Sequence, residues 1–233
     1  MSGAVVLGAR NLGGAIAAHL HDAGWDVAAV ARSDESLAGV RERGIAGLNA
    51  DATDPAALRD VLASRDDLRL VVNAVSAARP TGGPWGGGPL ADADPGAYEA
   101  WTGAVSRQAF TFLSAGAAAL RAMGGGTLIQ VTGGSARRAM PGRGLWASGA
   151  AATRALTHAA AQEWRAEGIH VALLVVDATI ASPKTEERLR GTPQDESAAQ
   201  EDVARAVAAL AAQTPRGYTH ELVITPAGDR WVP

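Results

Sequence analysis

Short apolar runs alternate along this chain with longer stretches of helical periodicity. The runs predict strands over residues 4–7, 27–31, 45–48, 70–74, 127–132, 169–176 and 221–225. The periodic stretches predict helices over 13–23, 35–42, 55–64, 95–123, 144–167 and 200–213. Val71 and Val72 are consecutive, and IHVALLVV (169–176) is the most apolar run, as expected of strands buried on both faces. Gly24, Gly124 and Gly168 stand where helices should stop. Pro55 suits a first helical turn capped by Thr53 or Asp54. Alternating strands and helices require parallel strands joined by crossover helices. The expected fold is therefore α/β, one doubly wound parallel sheet of about seven strands with helices on both faces. The length suits a single domain over 1–233.

Two segments break the rhythm. Residues 76–94 (SAARPTGGPWGGGPLADAD) are rich in Gly and Pro, and residues 177–199 are polar. Both follow carboxyl ends of predicted strands, where such sheets bind ligands, and both are expected to be flexible loops over the cleft. An ordinary surface loop is the alternative for each.

Composition narrows the function. A hydrophobic fraction of 47% with 19% charged residues is that of a globular protein. A net charge of −3 argues against a nucleic-acid surface. With no Cys there is no disulfide, thiolate nucleophile or Cys-based metal site. No His or carboxylate spacing suggests a metal; His19, His21, His158 and His220 read as structural. The N-terminus lacks a signal-peptide pattern and no apolar run is long enough to span a bilayer, so the expected location is the cytoplasm.

Gly8-Ala-Arg-Asn-Leu-Gly13-Gly14 follows the first strand and opens a helix. Glycines there permit a tight turn and let backbone N–H groups reach a pyrophosphate, the signature of a Rossmann-type dinucleotide site. The second strand ends in Arg32 rather than in an acidic residue. An acid would accept from a ribose 2′-OH, whereas Arg32, with Arg10 in the turn, suits a 2′-phosphate and favours NADP(H) over NAD(H).

With these residues in place, the whole chain resembles the short-chain dehydrogenase/reductase family. Gly8 to Ala17, including Arg10, Asn11, Leu12 and Gly13, is similar to the family's TGxxxGxG turn, with Leu12 in place of the middle Gly or one residue deleted. Asp51-Ala52-Thr53-Asp54 resembles the acidic motif that contacts adenine, and Val72-Asn73-Ala74-Val75 the NNAG motif. Gly126 to Gly133 resembles the strand leading to the catalytic Ser. Pro141 to Leu156 resembles the YxxxK segment, and Glu201 to Val207 the helix before the last strand.

The resemblance implies a Tyr for proton transfer, a Lys four residues on that lowers its pKa and holds the nicotinamide ribose, a Ser and an Asn. Aligned on Ala151 to Leu156, the Tyr position is Trp146 and the Lys position Ala150; the Ser position is Gly133 and the Asn position Gln108. No register shift restores the pair. The chain has two tyrosines, Tyr98 and Tyr218, and one lysine, Lys184, and neither tyrosine has Lys four residues on. An indole N–H donates a hydrogen bond but is no general acid near neutral pH. The family's PG turn after the sixth strand is replaced by Val176-Asp177.

Substitutes are few. Thr132 or Ser135 can replace the Ser, and Asp177 at a strand end is a candidate general base, with a capping role as the alternative. Arg137, Arg138 and Arg143 read as a solvated charge run, with anion or enolate binding by Arg143 and its neighbours as the alternative. Trp85 and Trp146 are candidates for covering a flat ligand, ordinary packing being equally consistent.

Three functions stay open. The first is an NADP(H)-dependent reductase of a small organic substrate with a non-standard proton donor. The second is a cyclase, dehydratase or isomerase on the same scaffold. The third is an inactive NADPH sensor or partner subunit. The two long helices resemble those through which the family dimerises, so a homodimer or homotetramer is expected.

Overall fold

The computed structural model describes residues 2–75, 80 and 82–229. Residues 76–79 and 81 of the Gly/Pro-rich segment lie outside the described residues. Seven strands form one parallel sheet: β1 (Gly3–Leu7), β2 (Asp26–Ala31), β3 (Ala46–Asn49), β4 (Leu68–Asn73), β5 (Gly126–Gly133), β6 (Ile169–Val176) and β7 (Glu221–Ile224). Their order is β3-β2-β1-β4-β5-β6-β7. It reverses direction between β1 and β4, and that switch point opens the ligand crevice at the carboxyl ends of the strands.

Strand alternation builds two cores. Ala4 and Val6 of β1 face α1 (Asn11–Asp22), α2 (Asp34–Glu42) and a C-terminal helix at Gln200–Ala211, through Ile16, Leu20, Leu37, Val203 and Val207. Val5 and Leu7 face the other way, onto Leu58 and Leu62 of α3 (Pro55–Ala63) and Phe112 and Leu120 of the first long helix. Each fully buried Leu, Ile or Phe contributes about 1.5–3 kcal/mol, so both faces anchor the sheet that carries the cleft.

The predicted helix over 95–123 is interrupted. It divides into α4 (Pro95–Tyr98), a π turn (Glu99–Gly103) and α5 (Ala104–Ala122). The extra residue per turn lets Trp101 and Thr102 both point inward, and Thr102 Oγ1 donates to the Leu145 carbonyl at 2.9 Å. Leu145 belongs to α6 (Gly144–Trp164), the second long helix. The N-cap of α3 is Asp54, whose carboxylate accepts from the Ala56 and Ala57 amides.

The polar stretch 177–199 is more structured than its composition predicts. It contains α7 (Glu186–Leu189), two 3₁₀ turns and a bridge pairing Ile180 with Ala198, and it leads into α8 (Gln200–Ala211). A Ser182–Thr185 capping box starts the first turn, a local hydrogen-bond pattern that hydrophobic periodicity does not register.

Candidate functional site

The cofactor side of the cleft begins at the end of β1. Gly8 has φ +106° and its N–H bonds to the Val30 carbonyl at 2.9 Å, while Ala74 N–H bonds to the Leu7 carbonyl. A Cβ on Gly13 would lie 2.5 Å from the Gly8 carbonyl oxygen, so only glycine lets α1 start this close to the strand. Asn11, with φ 48°, takes the left-handed conformation that Asn tolerates better than most residues. Arg10 stands at the N-cap and gives α1 no side-chain hydrogen bond, and the first turn of the helix, from Asn11 through Leu12 to Gly14, has no acidic residue. The helix thus begins two residues before the predicted start, at the turn itself.

Arg10, within this turn, and Arg32, just after β2, are both exposed. Asp51 follows β3 and accepts from the Thr53 amide (2.9 Å) and hydroxyl (2.7 Å). Partial burial pushes its carboxyl up, but the two Thr53 hydrogen bonds and the Arg32 charge outweigh this and hold it below the usual value. Ala52 beside it is buried. Asn73 ends β4, donates to Gln130 Oε1 at 2.9 Å and accepts from the Val75 amide. Gln108 of α5 donates to the Val75 carbonyl at 3.3 Å, tying the helix to the strand end that carries Asn73 and Ala74.

The other side of the cleft lies beyond β5 and β6. Gly133 is the last residue of β5 and pairs in register with Val176, the last of β6. Thr132 precedes it, and Ser135 sits in the 3₁₀ turn Gly134–Ala136. Asp177 is buried, and a Cβ on Gly134 would overlap its carboxylate. Arg138 holds Asp177 Oδ1 at 3.2 Å, whereas Oδ2 is buried without a hydrogen-bond partner among the described residues. Trp146 lies in the first turn of α6 and the buried Ala150 one turn later.

Trp146 belongs to a trio. Its ring centroid is 5.6 Å from Trp85 and 6.1 Å from Trp101, and Trp85 and Trp101 are 6.1 Å apart. Arg143 stacks over the Trp85 ring at 4.8 Å. Trp101 carried no local signal as a member of this group, because it and Trp146 meet only through helix packing.

The arginine run is not simply solvated. Arg137 pairs with Glu221 at 3.2 Å, Arg138 with Asp177, and Arg143 with the Trp85 ring. Glu221 also receives Arg154 (2.7 Å) and His158 (2.8 Å) from α6. Burial pushes its carboxyl up, but the Arg154 hydrogen bond and the Arg154, His158 and Arg137 charges prevail and hold it below the usual carboxylate value. The two tyrosines lie elsewhere. Tyr98 is an exposed residue of α4, and Tyr218 stacks on His170 at the amino end of β6, with centroids 4.2 Å apart. Among the described residues no three His, Asp or Glu side chains gather as a metal site, and no helix is long and apolar enough to cross a membrane.

A family model described as enoyl-(acyl carrier protein) reductase matches residues 6–228. The chain belongs to the short-chain dehydrogenase/reductase family. Solved structures agree with this fold. A metagenomic short-chain oxidoreductase in complex with NADP is 25% identical, with TM-score 0.74 and 98% of both chains covered. An alcohol dehydrogenase from the archaeon Thermococcus sibiricus, complexed with 5-hydroxy-NADP, is 22% identical with TM-score 0.79 over 100% of both chains. A short-chain dehydrogenase from Rhodopseudomonas palustris is 21% identical with TM-score 0.75, covering 97% of this chain and 98% of its own. A search of curated proteins returns no match. In this short-chain dehydrogenase/reductase Asp177 and Arg138 thus meet beyond the ends of β5 and β6, and the start of α6 carries Trp146 of the indole trio.

Proposed function

We propose that this protein is an NADP(H)-dependent oxidoreductase of a small organic substrate, in which Asp177 moves the proton. The observation that carries the reading is the turn from Gly8 to Gly14. It is closed so tightly that only glycine fits at 13, and it feeds a helix start without a side-chain cap. Such a terminus offers free N–H groups and the positive end of the helix dipole to a pyrophosphate. The residues present fit the adenine end of the cofactor. The Gly8, Arg10, Asn11, Leu12 and Gly13 segment would hold the pyrophosphate, with Arg32 on the 2′-phosphate and Asp51 and Ala52 near adenine. Asn73 and Ala74 would line the floor. Two of the solved relatives hold NADP or 5-hydroxy-NADP, which supports the same assignment. When bound, the nicotinamide would supply or accept the hydride.

The protein's part is proton movement and orientation. Arg138 engages one oxygen of Asp177, leaving Oδ2 to accept the proton of a substrate hydroxyl. In the reductive direction the same oxygen returns that proton to the developing alkoxide. Thr132 or Ser135 beside Gly133 can donate to a substrate carbonyl, and the Trp146 indole fills the space of the family's Tyr without its acid function. Ala150 leaves the ribose without an ammonium, so cofactor affinity should be modest. The exposed groove between α5 and α6 supports a homodimer.

Titration of NADPH fluorescence tests the reading. Saturable binding is expected, and its absence would overturn the proposal. Arg32→Ala should weaken NADPH by about tenfold through loss of a charge-assisted hydrogen bond, with little effect on NADH. Equal losses for the two would remove the phosphate assignment.

A further inference from the structure

We infer that the seat now filled by the Trp85 indole is an aromatic subsite of this cleft, and that it takes a planar aromatic substrate carrying an acidic group. The inference rests on reading the cleft as the substrate side of the proposed oxidoreductase, but its test needs no turnover. Two walls of the seat are the rings of Trp101 and Trp146, at 6.1 and 5.6 Å from the Trp85 centroid. The Trp101 wall is anchored. Trp101 is buried in the π turn, and Thr102 next to it bonds to the Leu145 carbonyl and to Ser148 Oγ at 2.8 Å, locking the π turn onto α6. The lid of the seat is the Arg143 guanidinium, 4.8 Å from the Trp85 ring.

The occupant is held differently. Trp85 is 42% exposed and sits on a segment in which Gly82, Gly83, Gly86, Gly87 and Gly88 all have positive φ. A Cβ on Gly86 would come within 2.9 Å of Arg143, and one on Gly87 within 2.7 Å of Leu145, so this segment lies flat against the start of α6. Among the described residues, Gly88 N–H bonds to the Gly142 carbonyl at 3.1 Å and ties its far end to the loop before α6. Helix-borne aromatic walls and a loop-borne indole describe a site in which the chain's own side chain stands where a ligand ring fits.

The chemistry of the walls selects that ligand. Tilted and edge-on indoles attract a third aromatic ring beyond simple burial, and a guanidinium over the ring adds a cation–π attraction. An aliphatic group gains neither. The acidic substituent follows from Arg143. Its neighbours Arg137 and Arg138 each pair with a carboxylate, whereas the partners of Arg143 among the described residues are uncharged, the Trp85 ring and Met140 Sδ at 3.9 Å. A carboxylate on the ligand would supply the missing anion in the bidentate geometry that guanidinium prefers.

Calorimetric titration of the full chain with indole-3-carboxylate and with cyclohexanecarboxylate tests this. The wild type should bind the indole acid weakly but more tightly than the cyclohexane acid. Trp85→Ala should tighten the indole acid by about tenfold, because it removes the side chain that competes for the seat. The cyclohexane acid, freed from the same competitor, should tighten by a similar factor and remain the weaker ligand. Equal affinities for the two acids, or weaker indole binding in Trp85→Ala, would overturn the inference. A second variant covers collapse of the loop. Arg143→Ala should bind indole-3-carboxylate and indole-3-carboxamide alike, and a retained preference for the acid would also overturn it. Probe binding that survives where NADPH titration fails would support the subsite and overturn the oxidoreductase reading alone.

Discussion

Gly134 and Asp177 share one volume. A side chain on the first would occupy the space of the carboxylate on the second, so the residue after the β5 end stays bare for the residue after the β6 end to reach over it. If that carboxylate moves the proton, Asp177→Asn should keep the fold and lower kcat by about 10²–10⁴-fold. An unchanged rate in stopped-flow or steady-state assays would discard the role. Gly134→Ala should cost about 1–3 kcal/mol by overpacking, read by urea denaturation. Asp177→Gly in the same chain should return most of that loss, since residues in contact are not additive. Only half of this pair is legible in the sequence. Asp177 shows itself as an acid at a strand end. Gly134 reads as one more glycine among 28, because nothing local says which side chain fills its missing Cβ.

Elements were easier to read than the contacts between them. The inner strands are apolar runs and each major helix is periodic, since the middle of a sheet covered on both faces leaves little room for ambiguous positions, whereas the edge strand β3 (AGLN) is only half-buried. The π turn at Glu99–Gly103 escaped, because one additional residue in a turn leaves no mark in a helical pattern. So did the ionic joint at Glu221, where β7 meets Arg154 and His158 of α6 and Arg137 of the β5–α6 connection. Folding lowers the carboxyl pKa of Glu221, so the joint stabilises fully above the unfolded carboxyl value of about 4.3. That contribution fades as pH falls through the lower folded value. Glu221→Gln should therefore cost about 1–3 kcal/mol at pH 7. The deficit should shrink on acidification, as measured by urea denaturation at several pH values; a deficit independent of pH would show that the joint acts through packing alone.

At the scale of the whole molecule, the sheet places its switch point between β1 and β4 and leaves α5 and α6 on one outer flank. There Tyr98 (53% exposed) and Phe110 (59% exposed) line a groove with Thr102, Ser106 and Leu156. A single exposed aromatic is unremarkable, but two along one groove mark a surface that gains from being covered. Light scattering should find a dimer, and Phe110→Asp should shift it toward monomer with a melting temperature that no longer depends on protein concentration. A wild-type monomer would remove the dimer assignment. The groove abuts the π turn, whose Thr102 also fixes Trp101, so a partner pressed on this flank would lean on the aromatic walls of the cleft. The indole trio has an optical consequence as well. Three strongly absorbing rings with centroids 5.6–6.1 Å apart and planes inclined by 52°, 58° and 87° couple as chromophores. Circular dichroism of this protein therefore carries an exciton signal overlapping the backbone bands, and helix content read from those bands alone will be offset.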